Sequence, residues 1–143
     1  VKVATEVLSA VRYPHHDVDL AVRCALLHDT LEDTKVTYAD IIKRFSEAVA
    51  EGVQALTKNE GLPKEQQIQD SIERILMLDS EIAIVKLADR ITNLTPPLKQ
   101  WTAAKKEGYL VESLLIRDQL GFASEYLHNR LNQRIEEYRK FIR

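Results

Sequence analysis

Residues 18–34 read VDLAVRCALLHDTLEDT, and this stretch decides the fold. Val18, Ala21, Val22, Ala25 and Leu26 recur at helical spacing, so one face of a helix is apolar. Asp17 stands just before it, where a carboxylate can accept a free backbone N–H of the first turn. The helix runs directly into His28, Asp29, Glu32 and Asp33. One imidazole and three carboxylates crowded at the end of an apolar helix are costly to bury without a partner, and a divalent cation is the best partner. Imidazole with carboxylates suits Mn, Fe, Zn or a similar ion. On a continuing helix, positions 28, 29, 32 and 33 share one side. The competing explanation is a solvated acidic helix end.

Outward from this block the same period continues. Val3, Val7, Leu8 and Val11 predict a first helix, and Pro14 predicts a loop over residues 12–16. Thr37 with Asp40 forms a capping-box pattern ahead of Ile41, Ile42 and Phe45. Ser46 caps the next helix, with Val49, Val53 and Leu56 inward. Gly61 and Pro63 predict a loop and a helix start, followed by Ile68, Ile72, Ile75 and Leu76. Ser80 is the expected cap of a helix through Ile82, Val85, Leu87 and Ala88, stopped by Pro96-Pro97. A short helix over residues 99–106, another from Val111 to Leu120 closed by Gly121, and a last one from Ser124 complete the chain. The expected fold class is all-α, in one domain over residues 1–143, without repeats or alternating strands.

A second polar element interrupts an apolar helix at Val85-Lys86-Leu87-Ala88-Asp89-Arg90. Asp89 follows a buried face and needs a bound partner, or an ion pair with Arg90 or another base. Asn93 lies one turn further on.

Together these segments carry a family resemblance. Residues 26–34, LLHDTLEDT, resemble the HD signature of the (p)ppGpp hydrolase domain of Rel/SpoT proteins and their small stand-alone relatives. Residues 86–93, KLADRITN, resemble the second signature of that family, K-L-A-D-R-x-x-N. Phe45, Val49 and Leu56-Thr57-Lys58 match stretches between them. The resemblance covers residues 1–94 and extends more weakly beyond Pro97.

It implies an HD-domain helical bundle and a metal-dependent nucleotide pyrophosphohydrolase of the stringent response, acting on guanosine-3′,5′-bis(diphosphate). It implies His28, Asp29 and Asp89 as ligands of a divalent metal, manganese in most of the family. Glu32 and Asp33 become the catalytic acidic pair that orients and deprotonates the attacking water. Asn93 becomes a substrate contact, and Lys86 and Arg90 hold either phosphate or structural carboxylates. A further histidine ligand belongs to an H-P-x-x-V-A segment of the first helix. Val3-Ala4 matches the end of that segment, so the His-Pro pair is expected just before Val1, with the first helix entered in progress. The chain opens on valine and its only methionine is Met77.

Pro96 stands where Rel-type domains often carry a threonine. Two alternatives therefore remain: a 5′-nucleotidase or other phosphoesterase on the same fold, and a non-catalytic nucleotide-binding regulatory module. His15 and His16 are expected in an exposed loop and His128 on the surface. Trp101, Lys105, Lys106 and Tyr109 could stack a nucleobase, though a core tryptophan with a solvated lysine edge is the preferred reading.

Composition narrows the classes further. A formal net charge of −2 gives no global attraction to a nucleic-acid polymer or an anionic membrane. No apolar run approaches the ~18 residues of a membrane span. The lone Cys24 cannot form an intramolecular disulfide and suits a reducing cytoplasm, the expected location. It sits among apolar neighbours and is expected to be a packing residue.

Overall fold

A computed structural model describes residues 1–142, and the described residues form helices joined by loops, with no strand among them. In chain order the helices are α1 (Lys2–Ala10), α2 (Val18–Leu27), α3 (Thr30–Asp33), α4 (Tyr38–Arg44), α5 (Glu47–Leu56), α6 (Lys64–Leu76), α7 (Ser80–Asn93), α8 (Ala103–Leu120) and α9 (Glu125–Arg139). A 3-10 turn, Gly121–Ala123, joins the last two.

The axis of the bundle is α7. Every residue from Glu81 to Ala88 is buried. Only a helix covered on all sides has no exposed face over two turns. Its cover comes from α1, α2, α5, α6, α8 and α9, all of which pack on it. Ile84, Leu87 and Ile91 are fully enclosed. Each such side chain contributes about 1.5–3 kcal/mol relative to exposure.

Local signals set most boundaries. Asp17, Thr37, Ser46 and Ser124 each accept a first-turn backbone N–H, and Thr37 with Asp40 makes a complete capping box. Ser80 departs from expectation. It is the first residue inside α7, Asp79 stands at the cap without a side-chain bond, and the Ser80 hydroxyl turns to Glu81 Oε1 instead. Glu81 is itself buried and accepts the Asp17 amide at 2.7 Å, tying the start of α2 to the start of α7.

The segment after Pro97 also differs. One 18-residue helix, α8, replaces the two short ones, capped by Thr102. Gly108 lies within it, where a glycine costs only about 1 kcal/mol and tertiary contacts outweigh that. Leu8, Leu26 and Leu76 have the helical period of core residues but are exposed, lying on the outer edge of their stripes. Cys24 is fully buried, and burial with the nearby Asp17 charge pushes its thiol up to about 12, which removes it as a nucleophile.

Gly52 explains how α2, α5 and α7 meet. A Cβ there would lie 2.7 Å from both Cys24 Sγ and Ile82 Cδ1, so the close approach requires glycine. Among the described residues no helix is long and apolar enough to cross a membrane.

Candidate active site

The apolar stripe of α2 ends at Leu27, and the chain breaks there instead of continuing as one helix. His28 is the C-cap of α2, Asp29 is the N-cap of α3, and α3 is a single turn. This break turns the His28 ring inward. Its Nδ1 lies 2.6 Å from Ala25 O, a contact that makes Nδ1 the donor and fixes the ring. Its Nε2 then faces two carboxylates: Asp29 Oδ2 at 3.1 Å and Asp89 Oδ1 at 3.3 Å. The α2–α7 packing thus joins the two signature segments at one imidazole nitrogen.

Asp89 sits in a dense polar frame. Oδ1 accepts from Asn93 Nδ2 at 2.8 Å and faces His28, while Oδ2 lies 3.4 Å from Lys86 Nζ. The side chains of His28 and Asp89 are only 17% and 16% exposed, so these charges interact with little solvent screening. Burial alone would raise the Asp89 pKa. The His28 hydrogen bond and the charges of Lys86, His28 and Arg90 outweigh it and hold the pKa at about 2. The same hydrogen bond lifts His28 to about 9, against the opposing effect of desolvation. Asp29 moves upward, chiefly through desolvation, with repulsion from Asp89, Asp33 and Glu32 adding to it. Burial pushes Lys86 down.

The donor set fits a divalent cation. Nδ1 anchored on a backbone carbonyl leaves the Nε2 lone pair aimed at two carboxylates, which is repulsive unless a proton or a metal lies between them. Ligands at ~2.1 Å from an ion and at right angles to one another stand about 3 Å apart, close to the two N···O separations here. Among the described residues no cluster of three or more His, Cys, Asp and Glu has the spacing of a formed metal cage. The two carboxylates instead stand in direct ion-pair contact with the His28 ring nitrogen.

Glu32 is exposed, and its Oε1 accepts the Lys58 backbone N–H at 2.9 Å. Asp33 is also exposed, and its charge is felt at Asp29. Arg90 is buried with its guanidinium on α8: Glu112 Oε1 at 3.1 Å, Ser113 Oγ at 3.3 Å and the Tyr109 ring at 4.0 Å. Lys86 and Arg90 each lie against a carboxylate, Asp89 and Glu112 respectively. Trp101 is half-buried, edge-on to Tyr109 at 5.6 Å, with Lys105 Nζ 4.5 Å from its ring centre.

The other histidines stand apart from this cluster. His15 is exposed, His16 Nδ1 accepts the Arg12 amide at 2.9 Å, and half-buried His128 closes over Gly121. One partner had no sequence signal of its own: the Lys58 amide acts through its backbone, which residue type does not encode.

The family model described as HD domain matches residues 1–116. The chain belongs to the HD domain family. Among curated proteins it is 34% identical over 99 residues to the zebrafish (Danio rerio) guanosine-3′,5′-bis(diphosphate) 3′-pyrophosphohydrolase MESH1, an alignment covering 65% of this chain and 53% of that protein. The Drosophila melanogaster MESH1 is 30% identical over 115 residues, covering 76% and 63%. The chain thus spans about half the length of the first of these relatives. A solved structure of a metazoan SpoT ortholog that hydrolyzes ppGpp superposes with a TM-score of 0.79 at 26% identity, covering 99% of this chain and 80% of that one. Membership of the HD domain family implies a divalent cation.

Proposed function

We propose that this HD domain is a divalent-metal-dependent hydrolase that removes the 3′-pyrophosphate from a guanosine nucleotide. The observation that carries this reading is the convergence of His28 Nε2 on Asp29 and Asp89, from two helices far apart in the chain. The similarity to proteins named guanosine-3′,5′-bis(diphosphate) 3′-pyrophosphohydrolases supports the choice of substrate.

His28, Asp29 and Asp89 would hold the cation, manganese being the family's usual metal and compatible with one nitrogen and several oxygens. When bound, the cation supplies Lewis acidity toward the phosphoryl oxygen and lowers the pKa of water. The chain's own residues supply the rest. Glu32 accepts a proton from the attacking water, its orientation set by the Lys58 amide. Asp33 adds negative charge beside it. Asn93 uses its amide N–H on Asp89, which leaves its carbonyl oxygen to accept a hydrogen bond from the nucleotide. Lys86 holds the second oxygen of Asp89, and Arg90 braces α7 against α8.

The test uses the full-length protein loaded with Mn²⁺ and given ppGpp, with GDP and pyrophosphate as the products followed. Asp89→Ala should abolish both cation binding and turnover. Glu32→Gln should keep the cation while turnover falls by roughly 10²–10⁴-fold, the usual contribution of a positioned general base. Metal-loaded protein that leaves ppGpp intact would overturn the substrate.

A second reading is favoured by Pro96. Leu94, Thr95 and Pro96 follow Asn93 directly and line a groove of about 360 Å³ with Arg134, Tyr138 and Phe141. A different residue pattern at this point suits a 5′-nucleotidase or another phosphoesterase. Turnover of deoxynucleoside monophosphates exceeding that of ppGpp would establish that alternative.

A further inference from the structure

An α-helix leaves the carbonyls of its last turn without intrahelical partners. At the end of α5 the Thr57 backbone N–H caps Gln54 O, and a neighbouring helix supplies further donors. Arg74 of α6 donates Nη1 to Gln54 O at 2.6 Å and Nη2 to Thr57 O at 2.7 Å, while its Nε donates to Asp70 Oδ2 at 3.0 Å. One turn earlier on α6, the buried Ser71 hydroxyl donates to Ala55 O at 2.6 Å. The end of α5 is therefore fastened to α6 at three carbonyls, two of them by one guanidinium whose planar fork suits paired acceptors.

The next group along the chain is the Lys58 amide, the one that donates to Glu32 Oε1. Glu32 belongs to a one-turn helix with no fully buried residue, whose one hold on the core is the partly buried Leu31, so the Glu32 side chain itself is aimed from outside the core. The direction of the Glu32 carboxylate follows the direction of the Lys58 N–H. That direction follows the Thr57 peptide, which Arg74 grips. We propose that Arg74 is a positioning residue for Glu32, acting through the backbone of Thr57 and Lys58. This inference rests on the role proposed for Glu32 above, and it adds a residue outside both signature segments to the same site.

Arg74 touches none of His28, Asp29 or Asp89, so its removal should spare the cation. In Arg74→Lys and Arg74→Met, kcat for ppGpp should fall about 10- to 100-fold, the scale of a misplacement near 1 Å. Mn²⁺ affinity should stay within about twofold, the limit of independence for separate sites. In a Glu32→Gln background the same substitutions should lower kcat by less than about twofold, because the group they position is already gone. Amide exchange followed by NMR supplies a readout that needs no turnover: Lys58 should lose protection in both Arg74 variants while amides within α6 and α7 keep theirs.

A purely structural Arg74 would lower kcat equally in the Glu32→Gln background, and that result overturns the proposal. A Lys58 amide that keeps its protection in Arg74→Lys also overturns it. If Glu32→Gln itself leaves turnover unchanged, the role of Glu32 fails. The exchange of Lys58 then still decides whether Arg74 orders this segment.

Discussion

His28 is where the site's electrostatics concentrate. Its folded pKa of about 9 lies above the ordinary 6.5, and that of Asp89, at about 2, lies below 3.8. The His28 contribution to stability is therefore fully present below pH 6.5 and is lost as pH rises through about 9. The Asp89 contribution is present above pH 3.8 and is lost as pH falls through about 2. Together these two groups favour the metal-free fold most between pH 3.8 and 6.5, and the His28 part of that contribution declines as pH rises through about 9. Urea titrations across that range read it directly, and a stability that is flat from mildly acidic to strongly alkaline pH would show that the imidazolium–carboxylate contact is absent in solution. At this scale the sequence was partly legible. Crowded acids beside an imidazole at the end of an apolar stripe point to a cation from chemistry alone. That Asp89 should join them came only from the resemblance of residues 86–93 to a second signature, because spacing along the chain cannot bring residues 29 and 89 together. The grip of the Lys58 amide on Glu32 was invisible, since every residue but proline carries the same N–H.

Helix boundaries follow local chemistry where a cap is available, as at Asp17, Thr37, Ser46 and Ser124. They depart from it where packing overrides propensity. Ser80 gives up its capping role because Glu81 is drawn inward to the Asp17 amide. The α8 helix runs through Gly108 because Arg90 grips its middle at Glu112 and Ser113. The glycines of α5 and α8 make opposite predictions. Gly52→Val forces carbon into the space held by Cys24 and Ile82 and should cost about 1–3 kcal/mol of unfolding free energy. Gly108→Ala meets nothing within 4 Å and should add stability instead, by up to about 1 kcal/mol. Chemical denaturation of the two variants beside the parent chain checks the pair, and a tolerated Gly52→Val would mean that α5 stands further from α2 and α7 than described.

Across the whole molecule, cation binding and folding are one equilibrium. The proposed ligands His28, Asp29 and Asp89 lie at the end of α2, at the cap of α3 and on α7, so only the assembled bundle offers all three, and a cation held by them would raise the melting temperature. Saturating Mn²⁺ at about a hundred times its dissociation constant adds roughly 2.7 kcal/mol, or several degrees for a domain of this size. The increment should grow from mildly acidic to alkaline pH, because the cation displaces the His28 proton, and it should vanish in Asp89→Asn. Differential scanning calorimetry with and without Mn²⁺ measures both, and an equal increment in the variant would place the cation elsewhere. The all-helical architecture was readable from period and glycine scarcity, whereas the central position of α7 emerged only from its unbroken burial between Glu81 and Ala88. That enclosure governs how such a protein can diversify. An axle hemmed in by six neighbours accepts almost no new side chains, so Asp89 and Asn93 inherit fixed coordinates. Novelty in what the domain accepts must enter through the rim, at α3, at Thr95-Pro96 and at the start of α8, where residues already face water and can drift without unseating the hub.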